Sequence, residues 1–235
     1  MLPAALARRP LLVAGFCVVV AGAVVTGRGR ADQPRITAAD VTYLGAFRLP
    51  TAQGDQNSFD YGGTALAFDP QDQALWLVGH DWYQRVAEVS IPVPAIAATI
   101  DSLPRATLQR PFADILAGKL GSIGSGTAKI GGILPAGHDL IVSAYLYYDG
   151  SHTQVRSHFR VTPSGVAGPF QLGDAGAGFV SGYMTSIPMD WQAALGGTAL
   201  TGQCCVPIVS RTSLGPAASV FNAADVGARD PVPAT

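Results

Sequence analysis

Tyr61-Gly62-Gly63-Thr64-Ala65-Leu66-Ala67-Phe68-Asp69 decides how this chain is read. A glycine pair leads into an apolar run of strand length. Pro70-Gln71-Asp72-Gln73 then supplies a turn, and Ala74-Leu75-Trp76-Leu77-Val78-Gly79 a second apolar run. Arg85-Val86-Ala87-Glu88-Val89-Ser90-Ile91 reads as a third strand, apolar at Val86, Val89 and Ile91. Short apolar or alternating runs bounded by turn residues are strand signals. Ala106–Phe112 makes a fourth, and Pro111 puts it at a sheet edge, where a missing N–H is tolerated.

Working outward, the same order returns about 60 residues on. Thr127–Leu134 corresponds to the first strand, Pro135–Asp139 to the turn and Leu140–Leu146 to the inner apolar strand. Gln154–Val161 follows as the third strand and Gly168–Leu172 as the fourth. A looser third copy starts at Ser181–Ile187, with Val206–Ser210 as its second strand and Ala217–Phe221 as its third. Asp190–Gly197 between them reads as a short helix that Gly196-Gly197 ends. Upstream, Val41–Leu49 reads as one further strand.

A recurring four-stranded unit is the pattern of a propeller blade, and one blade needs neighbours to bury its faces. On Tyr61–Pro70, Leu75–Asp81 and Val86–Pro92 the chain resembles secreted bacterial β-propeller proteins of the six-bladed NHL and gluconolactonase-like type. The resemblance spans roughly residues 60–222 and is architectural. It implies an all-β fold of β-propeller-like blades. Three units are too few to close a ring of four to eight blades. The expectation is therefore an incomplete toroid of about three blades, truncated at the C-terminus. Closure by oligomerisation and an open sandwich are the alternatives.

Residues 1–31 read as a targeting segment and 32–235 as the propeller-like domain. Arg8-Arg9, the apolar run Leu11–Val20 and the small triplet Ala21-Gly22-Ala23 follow the secretory order. The expected location is secreted or periplasmic. A membrane anchor facing the extracytoplasmic side is the alternative if the leader stays, although the apolar run is short for a span. Loss of Arg8 and Arg9 moves the net charge from −1 further to the acidic side. A nucleic-acid binder would show a basic patch instead. The chain has one glutamate, Glu88, and two lysines, Lys119 and Lys129, with 28 Gly and 17 Pro. That composition is poor for exposed helix faces and suits strands and turns.

Of three cysteines, Cys17 belongs to the leader, which leaves the adjacent pair Cys204-Cys205. In an oxidising compartment these are candidates for a bond. Neighbouring α-carbons sit about 3.8 Å apart, closer than ordinary disulfides prefer, so such a bond makes a rigid turn able to line a ligand site. His80-Asp81 follows an inner strand and faces a strand-connecting loop. With Asp60, Arg85 and Arg211 it forms the candidate catalytic set. His138 falls in a turn, and His152 and His158 share a face if their strand is regular. Tyr145 and Tyr147 on one strand face, with Trp82, Tyr83 and Tyr148, are candidates for a sugar- or aromatic-binding platform. No zinc-ligand spacing and no Gly-x-Ser-x-Gly elbow is present, so no metal site is expected and the cofactor is unknown. Gly121–Gly126 lacks the Lys-Ser/Thr of a phosphate loop and reads as an inter-blade loop.

Two functional readings follow. One is an exported ligand-binding or scaffold protein with a small-molecule or carbohydrate ligand. The other is an extracytoplasmic hydrolase, lyase or oxidoreductase with its site on the propeller axis. Convergence of His80, Asp60, His138 and Arg211 in one pocket would favour the enzyme, and scatter the binding module.

Overall fold

The computed structural model describes residues 36–63, 65–204 and 215–235. The leader, Cys17, Cys205, Arg211 and Val206–Ser210 lie outside the described residues. The chain divides into two units, Met1–Tyr43 and Leu44–Thr235. In the first, Ala38–Asp40 forms a turn of 3-10 helix, and Asp40 accepts bonds from the Thr37 N–H and hydroxyl, both at 2.8 Å.

The second unit is mostly β, in three antiparallel sheets. The first sheet takes its strands in chain order: β1 (Leu66–Asp69), β2 (Ala74–Val78), β3 (Val86–Ser90) and β4 (Leu108–Ala113). The second does the same with β5 (Ala128–Ala136), β6 (Asp139–Leu146), β7 (Arg156–Thr162) and β8 (Gly165–Gln171). The third contains β9 (Met184–Ser186), β10 (Ala199–Gly202) and β11 (Ala218–Phe221), with β10 in the middle. Two short helices, α1 (Ala177–Val180) and α2 (Met189–Leu195), flank β9. Gly196, at φ 79°, ends α2 in the left-handed conformation that glycine adopts without a Cβ penalty. Among the described residues, no helix is long and apolar enough to cross a membrane.

The first strand of each sheet packs on the next, β1 on β5 and β5 on β9. One core lies between the first two sheets, where Ala67, Trp76, Val78 and Val86 meet Ile133, Val142 and Phe159. A second lies on the other side of β5–β8, where Leu134 and Ile141 meet Met184, Ala199 and Phe221. The middle sheet is thus covered on both faces. That explains why β6 reads as a nearly continuous apolar run, broken inside only by Ser143: a strand buried on both sides has no solvent face to mark with polar residues. On the far face of the first sheet, Phe47, Leu49 and Phe59 pack over Leu77, Val89 and Ala106.

Close approach of the sheets depends on glycine. β5 carries a bulge between Ile130 and Gly132, and a Cβ on Gly131 would overlap the Ser181 carbonyl oxygen, as one on Gly132 would overlap that of Gly182. Ser143, opposite the bulge, donates from its hydroxyl to both carbonyls at 3.0 Å.

Two expectations need correction. Val41–Leu49 is not a strand; among the described residues its pairings are isolated bridges, Ala46 with Ala95 and Arg48 with Arg105. Gly45, at φ 129° against the Ala95 backbone, breaks the extended run. The second strand of the third sheet is β10, a short run of small residues pairing with both β9 and β11. Pro231–Thr235 also pairs: Val220 and Thr235 exchange N–H···O bonds of 2.6 and 3.0 Å, and Val232 bridges to Leu172. The final residues thus lie along the free edge of β11, in the place a fourth strand would take.

Candidate functional site

One end of the sheets gathers most of the polar and aromatic side chains singled out above. Here β2 turns into β3, β6 turns into β7, and β1, β5 and β9 begin. The loop after β2 is tight because Gly79 leaves no room for a side chain: a Cβ would meet the Phe112 ring at 2.6 Å and the Ser58 carbonyl at 2.7 Å. Gly79 N–H donates to Arg85 O at 2.7 Å and closes the loop, while His80 N–H donates to Ser58 O at 2.8 Å. His80 Nδ1 accepts from the Trp82 N–H at 3.1 Å. Its ring lies between Tyr61 and Tyr83, at centroid distances of 5.5 and 5.2 Å.

Asp81 is tied to the second sheet. Lys129, on β5 and almost fully buried, donates to Asp81 Oδ2 at 2.6 Å and to its carbonyl at 2.8 Å. Gln84, also buried, donates to Asp81 and accepts from the Ile130 N–H at 2.7 Å. Tyr145 is the cross-strand neighbour of Lys129. Burial pushes its phenol pKa up, and the charges of Asp81, Tyr147 and Tyr183 push it the same way. It therefore keeps its proton at neutral pH and presents a hydroxyl donor at the same end as Asp81.

The loop after β6 is organised by Asp149, which accepts from the Thr153 N–H and hydroxyl and the Gln154 N–H at 2.8–3.0 Å. Burial pushes its carboxyl up, but these bonds and His152 outweigh it and leave the pKa below 3.8. Gln154 stands two residues before β7, as Gln84 does before β3, and it stitches Leu146 N–H to Ala144 O. Sequence reading passed over Lys129, Gln84 and Gln154. The available signal was rarity: a lysine inside a strand phrase in a chain with two lysines.

Around this polar centre sit exposed aromatics: Tyr61, Trp82, Tyr83, Tyr147, Tyr148 and Tyr183. Tyr147 lies beyond the end of β6, so it does not share a regular strand face with Tyr145. Asp60 is exposed in the turn before β1, near His80 in the chain fold. Arg85 points away, donating to Phe112 O at 3.0 Å behind the loop. Cys204 is buried at the same end, its N–H on Gly178 O at 3.0 Å, and is disulfide-bonded.

The histidines do not gather. His138 sits at the opposite end, in the β5–β6 turn. His152 and His158 do not share a face. His152 is in the loop at φ 52°, stacked on Phe179 at 5.9 Å, while His158 is fully buried in β7. His152 itself is left-handed and the strand starts only at Arg156, so no period of two runs between them. The chain matches no protein-family model, no curated protein and no solved structure.

Proposed function

We propose that this chain is an exported, β-propeller-like protein that binds a carbohydrate or other small polar ligand at the Asp81–Lys129 end of its sheets. Three successive antiparallel sheets, each with its first strand against the next, support the reading of neighbouring blades in an incomplete toroid. One observation carries the function: exposed aromatic rings surround a carboxylate, an ammonium and a phenol donor, the carboxylate being held by buried Gln84 and Lys129. Sugars present apolar ring faces and hydroxyl edges, and such a surface offers partners for both. The scatter of the histidines also fits a binding module better than a histidine-based catalyst.

The test is titration with soluble polysaccharides and oligosaccharides, followed by tryptophan fluorescence. Trp82, 78% exposed, is expected to report binding, and Trp82→Ala or Tyr147→Ala to weaken it by about tenfold or more, as loss of a stacking contact does. Retained affinity in the double variant, or no binding by the native chain, would overturn the reading. The enzyme alternative rests on one observation, the buried Lys129 2.6 Å from Asp81 and beside Tyr145. Turnover of a bound sugar, abolished by Lys129→Met, would select it.

A further inference from the structure

At the opposite end of the sheets, a groove of about 760 Å³ opens between the β1–β2 hairpin and the tips of the second sheet. Asp69, Asp72, Trp76 and Arg110 form one wall, and Leu140 and Val161 belong to the other. The polar wall is acidic. Asp69, Asp72 and Glu88 each bring a carboxylate oxygen to one point, all within 4.8 Å of one another. They come from the end of β1, the turn and β3, so the hairpin and its neighbouring strand build the cluster together. Asp69 is held rigidly: one oxygen accepts from the N–H groups of Gln71 and Asp72 at 2.9 and 3.4 Å, the other from Trp76 Nε1 at 3.2 Å.

The cluster is short of positive charge. Among the described residues Arg110 alone serves it, through Nε to Glu88 at 2.7 Å and Nη2 to Asp72 at 3.3 Å. Glu88 is 1% exposed, and its Oε1 is buried with no hydrogen-bond partner. A buried carboxylate oxygen without a donor is costly to keep. Arg110 itself is 61% exposed and lies over the Trp76 ring at 5.4 Å, so its head group borders solvent.

We propose that Asp69, Asp72 and Glu88 form a calcium site, with Arg110 occupying the ion's place when no ion is bound. Calcium bonds carboxylate oxygens at about 2.3–2.6 Å, so a cluster of this spread falls within its reach. The ligands are all oxygen and irregularly disposed, and water from the groove completes the shell. This suits calcium's flexible coordination better than the strict octahedron of magnesium. Ion entry and guanidinium exit are one exchange: the ion takes over both carboxylates that Arg110 holds and supplies a partner for Glu88 Oε1.

The probe is Tb³⁺, a luminescent substitute for Ca²⁺, excited through tryptophan. Trp76 bonds directly to Asp69, so an ion in the cluster sits beside an indole. The native chain is expected to give saturable sensitised emission that Ca²⁺ competes away. Glu88→Gln and Asp72→Asn should each weaken binding about tenfold or more, because affinity follows the count of charged ligands. Arg110→Gln should strengthen it by about tenfold, by removing the competitor. Three results would overturn the proposal: no emission from either the native chain or Arg110→Gln, emission insensitive to both carboxylate variants, or weaker binding in Arg110→Gln. Far-UV circular dichroism checks each fold, and half-exposed Asp72 carries the test if Glu88→Gln does not fold.

Discussion

His158 lies on β7 with no exposed surface, its Nδ1 2.9 Å from the Ser157 hydroxyl and its Nε2 buried without a partner. Phe221 from the third sheet meets its ring edge-on at 5.9 Å. Burial without a compensating anion lowers its pKa from 6.5 to about 3. Above pH 6.5 the imidazole is neutral in both folded and unfolded chains and pH has no effect through it. Below 6.5 the unfolded chain takes up a proton that the folded one refuses, so stability falls as pH falls towards 3. At pH 5 the loss through this group is about 2 kcal/mol relative to pH 7. Asp149 and Asp230, both lowered, act only below their ordinary 3.8. Glu88, raised, acts with the opposite sign. The measurement is therefore a difference: urea unfolding of the native chain and of His158→Asn at pH 7 and 5. The native chain should lose about 2 kcal/mol more than the variant, and parallel losses would refute the account. None of this was legible in the sequence, where His158 looked like a partner for His152.

Among elements, β5 does the most to hold the sheets together, and its bulge is where it touches the third sheet. Gly131 has no space for a methyl group against Ser181 O, and the obstacle is backbone, which cannot rotate aside. Gly131→Ala should cost about 3 kcal/mol or more, as overpacking against a rigid wall does. Gly121→Ala, where nothing lies within 4 Å, is the control and should be near neutral. Equal urea midpoints for the two variants would refute this role. Elements of this kind mark the limits of reading from sequence. β2, β3, β6 and β7 were legible because burial on one or both faces writes itself as apolar runs between turn residues. Val41–Leu49 carried the same composition, but its partners are single bridges that no local pattern announces. β10 escaped because Ala199-Leu200-Thr201-Gly202 is short and small, and the C-terminal edge because Pro231 and Pro233 remove the donors that make a strand recognisable. The candidate site follows the same logic. Its aromatics and His80-Asp81 stood out by type, whereas Lys129 and Gln84 matter through contacts between sheets, with Lys129 reaching Asp81 across a separation of 48 residues.

At the scale of the whole molecule, the proposed export and the cysteines constrain each other. Cys204 is disulfide-bonded, and the other two cysteines are Cys17 and Cys205. If the leader is removed after Ala23, Cys17 goes with it and Cys205 is the partner that remains. A bond between Cys204 and Cys17 would instead keep the leader attached to the folded domain. The two outcomes differ in intact mass. Protein recovered from the periplasm or medium of a producing bacterium is expected to begin after Ala23 and to gain one pair of hydrogens on reduction. Alkylation before reduction should leave both remaining cysteines unmodified. Two thiols open to alkylation in the native mature chain would sink the pairing, and a retained leader would move the protein to the membrane. The consequence reaches the candidate site, because Cys204 closes the same end of the sheets as Tyr183. If Cys204 pairs with Cys205, reduction is expected to weaken carbohydrate binding without unfolding the sheets.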